Sequence, residues 1–368
     1  MPVSALVRTR FRTSPARTSA VPRRTSATRR RGALVVALSA LVLVAGCSQK
    51  DHASSIVRTT TNIAGAGVIG LERDTAKACA LPTAPDPSNG ATRTVHHVAG
   101  SSDVPADPQR IVVLTTAALD AACSLGLWER VVGATTLTGP SPQPSYLGYG
   151  IAVIPSVGPA AQPDLAKIAE LRPDVIIGDV PTATAGFDAL RAIAPTVFVG
   201  RPGNWQNEFS AIGAALGRRT AASEALERYR TDARDIGNAV LAGQTQASVI
   251  RFTGDGIQVQ GGDSFAGQVL ADMGVQRPTA QRGPTFDVTT AAMPSKVEGD
   301  LIYIMFAGEP GKQYGEKVMR GDTWKELGAA TDRRTFVVED TIWRGNGLTA
   351  ARAVLTDVRD TLNGFVTD

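Results

Sequence analysis

Residues 163–179, PDLAKIAELRPDVIIGD, decide the fold. Pro163 suits the first turn of a helix, where its missing N–H has no partner to lose. Leu165, Ile168, Ala169 and Leu171 then recur at helical spacing and give one apolar face. Pro173 ends the helix, because the residue before a proline is pushed out of the α region. Val175, Ile176 and Ile177 form a short, unbroken apolar run, the pattern of a strand buried on both faces of a parallel sheet. Gly178 and Asp179 close it. A helix feeding such a strand is half of a βαβ unit, and in open α/β sheets ligands sit beyond the carboxyl ends of the strands. The loop from Gly178 to Thr182 is therefore the first place where a site is expected.

The alternation continues on both sides. Strands are predicted at Arg110–Leu114, Val131–Ala134 and Thr196–Val199, and helices at Ala117–Leu125 and Phe187–Ile193. Residues 107–203 thus read as one lobe with a parallel sheet covered by helices. Trp205–Leu216 and Ala221–Leu241 read as a long amphipathic connecting helix, broken near Gly217, within residues 204–242. Residues 243–368 form a second lobe. Its predicted strands are Ala247–Phe252, Ile257–Gln260, Leu301–Phe306 and Thr335–Val338, and its helices are Phe265–Met273, Trp324–Leu327 and Leu348–Leu362. The expected fold is α/β, two lobes with mainly parallel sheets joined by one long connecting α-helix. Two loops are too rich in special residues to be plain connectors: GPSPQPSYLGYG at 139–150 and DTIWRGNG at 340–347.

The formal charge of +4 is unevenly spread over the 368 residues. Residues 1–46 hold nine arginines and no acid, and the remainder has 29 basic against 34 acidic residues. The high pI therefore gives no reason to expect nucleic acid. Arg29, Arg30 and Arg31 precede an apolar run from Ala33 to Ala45, too short for a comfortable membrane span and suited to a signal peptide. The run ends Val44-Ala45-Gly46-Cys47, which resembles a bacterial lipobox, with Cys47 lipidated and residues 1–46 removed. The expected location is outside the cytoplasmic membrane, held to its outer face by lipid. Export implies an oxidising compartment, so the two remaining cysteines are expected to form a Cys79–Cys123 disulfide; two buried thiols are the alternative. Residues 47–106, rich in Ser, Thr, Ala, Pro and Gly, read as a tether with one ordered patch near Ile63–Ile69.

Two motifs carry no function. Gly65-Ala66-Gly67-Val68-Ile69-Gly70 matches GxGxxG, but no strand precedes it and a proline-rich stretch follows. Gly262-Asp263-Ser264 invites an esterase reading, yet the histidines are His52, His96 and His97, all in the expected tether, so a Ser/His/Asp base is lacking. The same lack argues against a histidine-ligated metal site.

In their order along residues 107–366, the phrases RIVVLTTAALDAACSLGL, VVGAT, PDLAKIAELRPDVIIG, RAIAPTVF, SFAGQVLADMGV and WKELGAATDRRTFVVED resemble the iron-siderophore/cobalamin-type periplasmic binding protein superfamily. NIAGAGVIG, with Cys79 and Cys123, resembles in particular the iron-dicitrate-type binding lipoproteins of mycobacteria and related actinobacteria. The resemblance implies a monomeric solute-binding protein, not an enzyme, with no intrinsic cofactor. It would bind a ferric siderophore in the interlobe cleft and deliver it to an ABC permease. Haem or a corrinoid is the alternative ligand, with Tyr146 or Tyr149 as the axial candidates for haem; an envelope scaffold that has lost transport is the alternative role. The family's docking glutamates are not found: the matching positions are Ala166 and the region of Ala291, with Glu170, Asp287 and Glu298 nearby. Ferric siderophores call for aromatic walls and arginines. The expected ligand-binding residues are Trp343, Arg344, Trp205, Arg201, Tyr146, Arg251, Arg282 and Phe306, with no protein metal ligand.

Overall fold

The computed structural model describes residues 61–139, 141–179, 186–200 and 203–363. Within them the stretch expected to be a tether is built into the fold. Strands β1 (Asn62–Ile63) and β2 (Ala66–Val68) form a hairpin whose turn residues, Ala64 and Gly65, both have positive φ, at 49° and 91°. That is the turn that a tight hairpin needs, so Gly65 of the false dinucleotide motif serves a bend. Strands β3 (Thr92–His97) and β4 (Gly100–Pro105) make a second hairpin. His96 and His97 there bond to Ser101 and Ser102 across the hairpin. Composition suggested a tether because these strands are mostly polar: β3 alternates exposed and half-buried residues, and β4 buries only Ser102 and Val104.

The first lobe carries β5 (Ile111–Val113), β6 (Val131–Thr136), β7 (Ser156–Pro159), β8 (Val175–Gly178) and β9 (Thr196–Phe198). They form an all-parallel sheet of order β7-β6-β5-β8-β9. The helix before β8 spans Leu165–Glu170, and its N-cap is Asp164, whose carboxylate accepts from Ala166 N and Lys167 N. Pro163 therefore stands just outside the helix rather than in its first turn.

The second lobe adds β10 (Ala247–Phe252), β11 (Ile257–Val259), β12 (Phe286–Val288), β13 (Leu301–Phe306) and β14 (Thr335–Val337). The sheet order is β1-β2-β14-β13-β10-β11-β12, parallel from β2 to β10 and antiparallel at both edges. A helix at Gly308–Met319 was not anticipated, because Gly308-Glu309-Pro310-Gly311 reads as a turn; the proline lies in the first turn, where no intrahelical bond is lost.

The connecting element is two helices, Trp205–Ala215 and Arg219–Ala239. The break is at Gly217, with φ of 67°, where a Cβ would stand 2.3 Å from the Ala106 carbonyl oxygen. Arg218 beside it is fully buried and bonds Asp107 at 2.6 Å and the Thr83 carbonyl at 3.0 Å.

Alternation along the strands sorts the cores. Leu301, Tyr303 and Met305 of β13, with Val113 of β5 and Ile177 of β8, face one continuous core that also takes in helices Thr116–Ser124, Trp205–Ala215, Phe265–Asp272 and Leu348–Asn363. Ile302 and Ile304 face an outer core of the second lobe, and Val112 and Ile176 face one of the first. A shared central core couples the lobes, since each buried Leu, Ile or Phe contributes roughly 1.5–3 kcal/mol.

The Cys79–Cys123 disulfide is formed and ties the N-terminal segment to the helix Thr116–Ser124. The same segment reaches the second lobe through Arg73, which pairs with Asp357 at 2.7 Å.

Candidate functional site

Loops at the carboxyl ends of the strands of both lobes meet beside the central core. On the first lobe these are Thr115, which caps the helix Thr116–Ser124, and Asp179 after β8. On the second lobe they include Arg251 near the end of β10 and the segment that follows β14. Bonds tie these parts together: Ser145 Oγ of the first lobe donates to Glu339 of the second at 2.7 Å, and Asn346 Nδ2 of the second lobe donates to Glu208 Oε2 of the connecting helix at 3.2 Å. The backbone N–H groups of Thr349 and Ala350, at the start of the last helix, donate to the buried Asp120 at 2.8 and 3.0 Å. Burial pushes the Asp120 carboxyl up, and these bonds oppose it.

A cavity of about 410 Å³ opens on this face of the second lobe. Gln258 of β11 and Gln260 just after it line the cavity, with Ser264 and Phe265 from a helix start and Arg344 and Asn346 from the segment after β14. The Gly262-Asp263-Ser264 phrase is explained here. Ser264 Oγ accepts from Gly267 N at 3.0 Å as an N-cap and donates to the Gly261 carbonyl, so it has no base to act with.

The cationic feature is a cluster of three. Arg251 grips Asp340 through Nε and Nη2, at 2.6 and 3.0 Å, and Arg344 Nη1 stands 3.9 Å from the same carboxylate. The Arg344 side chain is 50% exposed, against 15% for Arg251, so Arg344 is the cation open to the cavity. Burial, then the neighbouring Arg251, holds the Arg344 guanidinium below its usual range, and Asp340 opposes them.

Opposite, Glu208 is buried and its carboxyl is pushed up to about 7, first by burial and then by the nearby Asp179. Its partner Asn346 has φ of 56°, a left-handed conformation that asparagine tolerates better than most residues.

The expected aromatic walls are core instead. Trp205 is fully buried, edge-on to Tyr229 at 4.9 Å and to Phe265 at 5.8 Å. Trp343 touches the cavity but is 1% exposed, and its Nε1 donates to Asp357 at 2.9 Å. Tyr146 is 2% exposed and its hydroxyl donates to Asp120 at 3.0 Å, which leaves no free phenol for a haem iron. Phe306 faces the outer core and stacks on Phe252 at 5.9 Å. Arg282 is exposed and gives its Nε to the Arg277 carbonyl at 3.1 Å, so it does not line the cavity. The physical reason is common to the aromatics: a large ring next to a shared core gains more from packing than from facing water. Arg201, Cys47 and the loop beyond Asp179 lie outside the described residues.

The structure thus brings together Arg344, Arg251 and the edge of Trp343. Sequence reading missed Asp340, Asn346, Gln258, Gln260 and Glu208. Asp340 and Arg344 stand four apart, a spacing that pairs charges on a helix and could have flagged them. Glu208 has no local signal, because its partners come from other elements.

Two α/β lobes, a shared helical core between them and a polar cavity with, among the described residues, one open arginine are the architecture of a solute-binding protein. The chain belongs to the periplasmic binding protein family, whose model matches residues 111–341. It is 31% identical over 288 residues to the probable siderophore-binding lipoprotein YfiY of Bacillus subtilis, covering 74% of this chain and 88% of that one. It is 26% identical to the achromobactin-binding periplasmic protein of Dickeya dadantii, covering 68% and 85% of the two chains. Its fold is similar to that of Staphylococcus aureus SirA complexed with staphyloferrin B, with a TM-score of 0.65, 23% identity and coverage of 74% and 99%.

Proposed function

We propose that this chain binds a ferric siderophore in the cleft between its lobes for iron uptake, held to the outer face of the cytoplasmic membrane by lipid on Cys47. The observation that carries the reading is Arg344, an arginine half open to a polar cavity in a member of a solute-binding family. A guanidinium pairs with carboxylate, phenolate or hydroxamate oxygens in a planar fork, while Gln258, Gln260 and Asn346 offer uncharged hydrogen bonds beside it. The iron is carried by the chelate, so the protein supplies orientation and charge and no metal ligand. The names of the relatives in Bacillus and Dickeya support both the ligand class and the envelope location.

Delivery to an ABC permease completes the role. Glu170 and Asp287 are exposed on the two lobes and free to face a partner. Glu298 is less suited, because its carboxylate accepts from Gly328 N at 3.1 Å.

The test is a fluorescence titration of the purified protein with ferric chelates. Trp343 at the cavity edge should give a saturable quench. Arg344→Ala should weaken binding by about ten-fold or more, the loss of one charge-assisted hydrogen bond. A folded protein that responds to no ferric chelate would refute the proposal.

A further inference from the structure

The cationic cluster is not a simple pair of arginines. Asp340 stands between them, bonded to Arg251 at 2.6 and 3.0 Å and 3.9 Å from Arg344. Its carboxylate is 22% exposed, so it does not itself offer much surface to a ligand. What it does is cancel one of two positive charges. Asp263, a further acid, lines the same cavity and is turned partly aside by accepting from Thr285 N at 3.1 Å. Of the other described acids beside the cleft, Glu208 and Asp179 are buried, and the exposed Glu339 is engaged by the hydroxyls of Ser145 and Thr341 at 2.7 and 2.6 Å. Among the described residues, then, the cavity carries one open cation and no surplus of them.

We infer that Asp340 is a specificity-determining residue, which acts through Arg344 to reduce the cleft's preference for highly anionic ferric chelates over those of low negative charge. This rests on the ferric-siderophore reading above and deepens it. The physical argument is Coulombic. Each extra negative charge on a ligand seated against Arg344 would lie within roughly 10 Å of Asp340, and at an effective dielectric of about 20 the repulsion is worth about ten-fold in affinity per charge. With Asp340 neutral, both Arg251 and Arg344 would be available to an anion. With Arg251 removed, Asp340 would have only Arg344 to pair with, and would draw it from the cavity.

The experiment measures dissociation constants of the wild type, Asp340→Asn and Arg251→Met for three probes: an uncharged ferric trihydroxamate, ferric dicitrate and a trianionic ferric triscatecholate. Melting curves of each variant check its fold. The expected result is a ratio. Asp340→Asn should improve the anionic chelates relative to the trihydroxamate by about ten-fold or more, with a steeper loss of affinity as salt is raised. Arg251→Met should move the ratio the other way. A residue with only a structural role would change all three affinities together. Chelate binding by the wild type, with the ratio unmoved in both folded variants, overturns this inference alone. Failure of the wild type to bind any of the three overturns the ferric-siderophore reading and this inference with it.

Discussion

Removing the Cys79–Cys123 disulfide should lower the stability of the whole chain by about 4 kcal/mol. The two cysteines are 44 residues apart in sequence. Cross-linking a loop of that length removes roughly 13 cal/mol/K of entropy from the unfolded chain, which is about 4 kcal/mol at 25 °C. With an unfolding entropy near 2.1 cal/mol/K per residue, the roughly 300 described residues give a fall in Tm of about 6 °C. The fold itself should survive, because the segment has other anchors. Ala80 N donates to the Cys123 carbonyl at 3.0 Å, Thr83 Oγ1 to the Leu125 carbonyl at 2.7 Å, and Asp86 caps the connecting helix by accepting from Arg219 N and Thr220 N. The variant to make is Cys79→Ala/Cys123→Ala, since Cys123 is fully buried and a serine there would add an unpaired hydroxyl. The assay is thermal unfolding beside the oxidised wild type, with limited proteolysis at Arg73 and Lys77 to report local release of the segment. A double variant that melts within 1–2 °C of wild type, as a rough margin, would refute the chain-entropy reasoning.

Other consequences can be checked in the same way. Glu208 has its carboxyl raised from 4.5 to about 7, so between those pH values the unfolded chain is ionised there and the folded one is not. Stability should therefore fall as pH rises from about 4.5 to 7, by about 3 kcal/mol, and urea unfolding of Glu208→Gln should lack that slope; an unchanged slope counts against the assignment. Trp343→Phe keeps the ring beside Tyr303 but removes the bond to the buried Asp357, and should cost about 2 kcal/mol in denaturant unfolding. At Gly347 an added Cβ would stand 2.2 Å from Asp120 Cγ, so Gly347→Ala should destabilise by about 1–3 kcal/mol and weaken chelate binding, through displacement of the Arg344–Asn346 loop. Full retention of both properties would show that the loop has room to shift.

The sequence by itself determined the alternation of helix and strand, the two lobes, the broken connecting helix and the cysteine pair. These rest on local signals: apolar runs such as Val175–Ile177, helical spacing such as Leu165 and Ile168, and the conformational limits of Gly217 and Pro173. It also marked the loop holding Trp343 and Arg344, because that loop leaves a strand's carboxyl end and carries an aromatic beside an arginine, the side chains a ferric chelate calls for. Tertiary structure alone decided which side chains of that loop face a ligand. Trp343, Trp205 and Tyr146 turn into the shared core, where their rings pack and their polar atoms find partners or burial, while Arg344 stays half open. Asp340 joins Arg251 across a gap of 89 residues and Glu208 meets Asn346 across 138, and the β1–β2 hairpin finds its place against β14 near the far end of the chain. Such pairings leave no periodicity in the sequence. They exist only once the strands have set the distance and direction between loops that the chain itself keeps far apart.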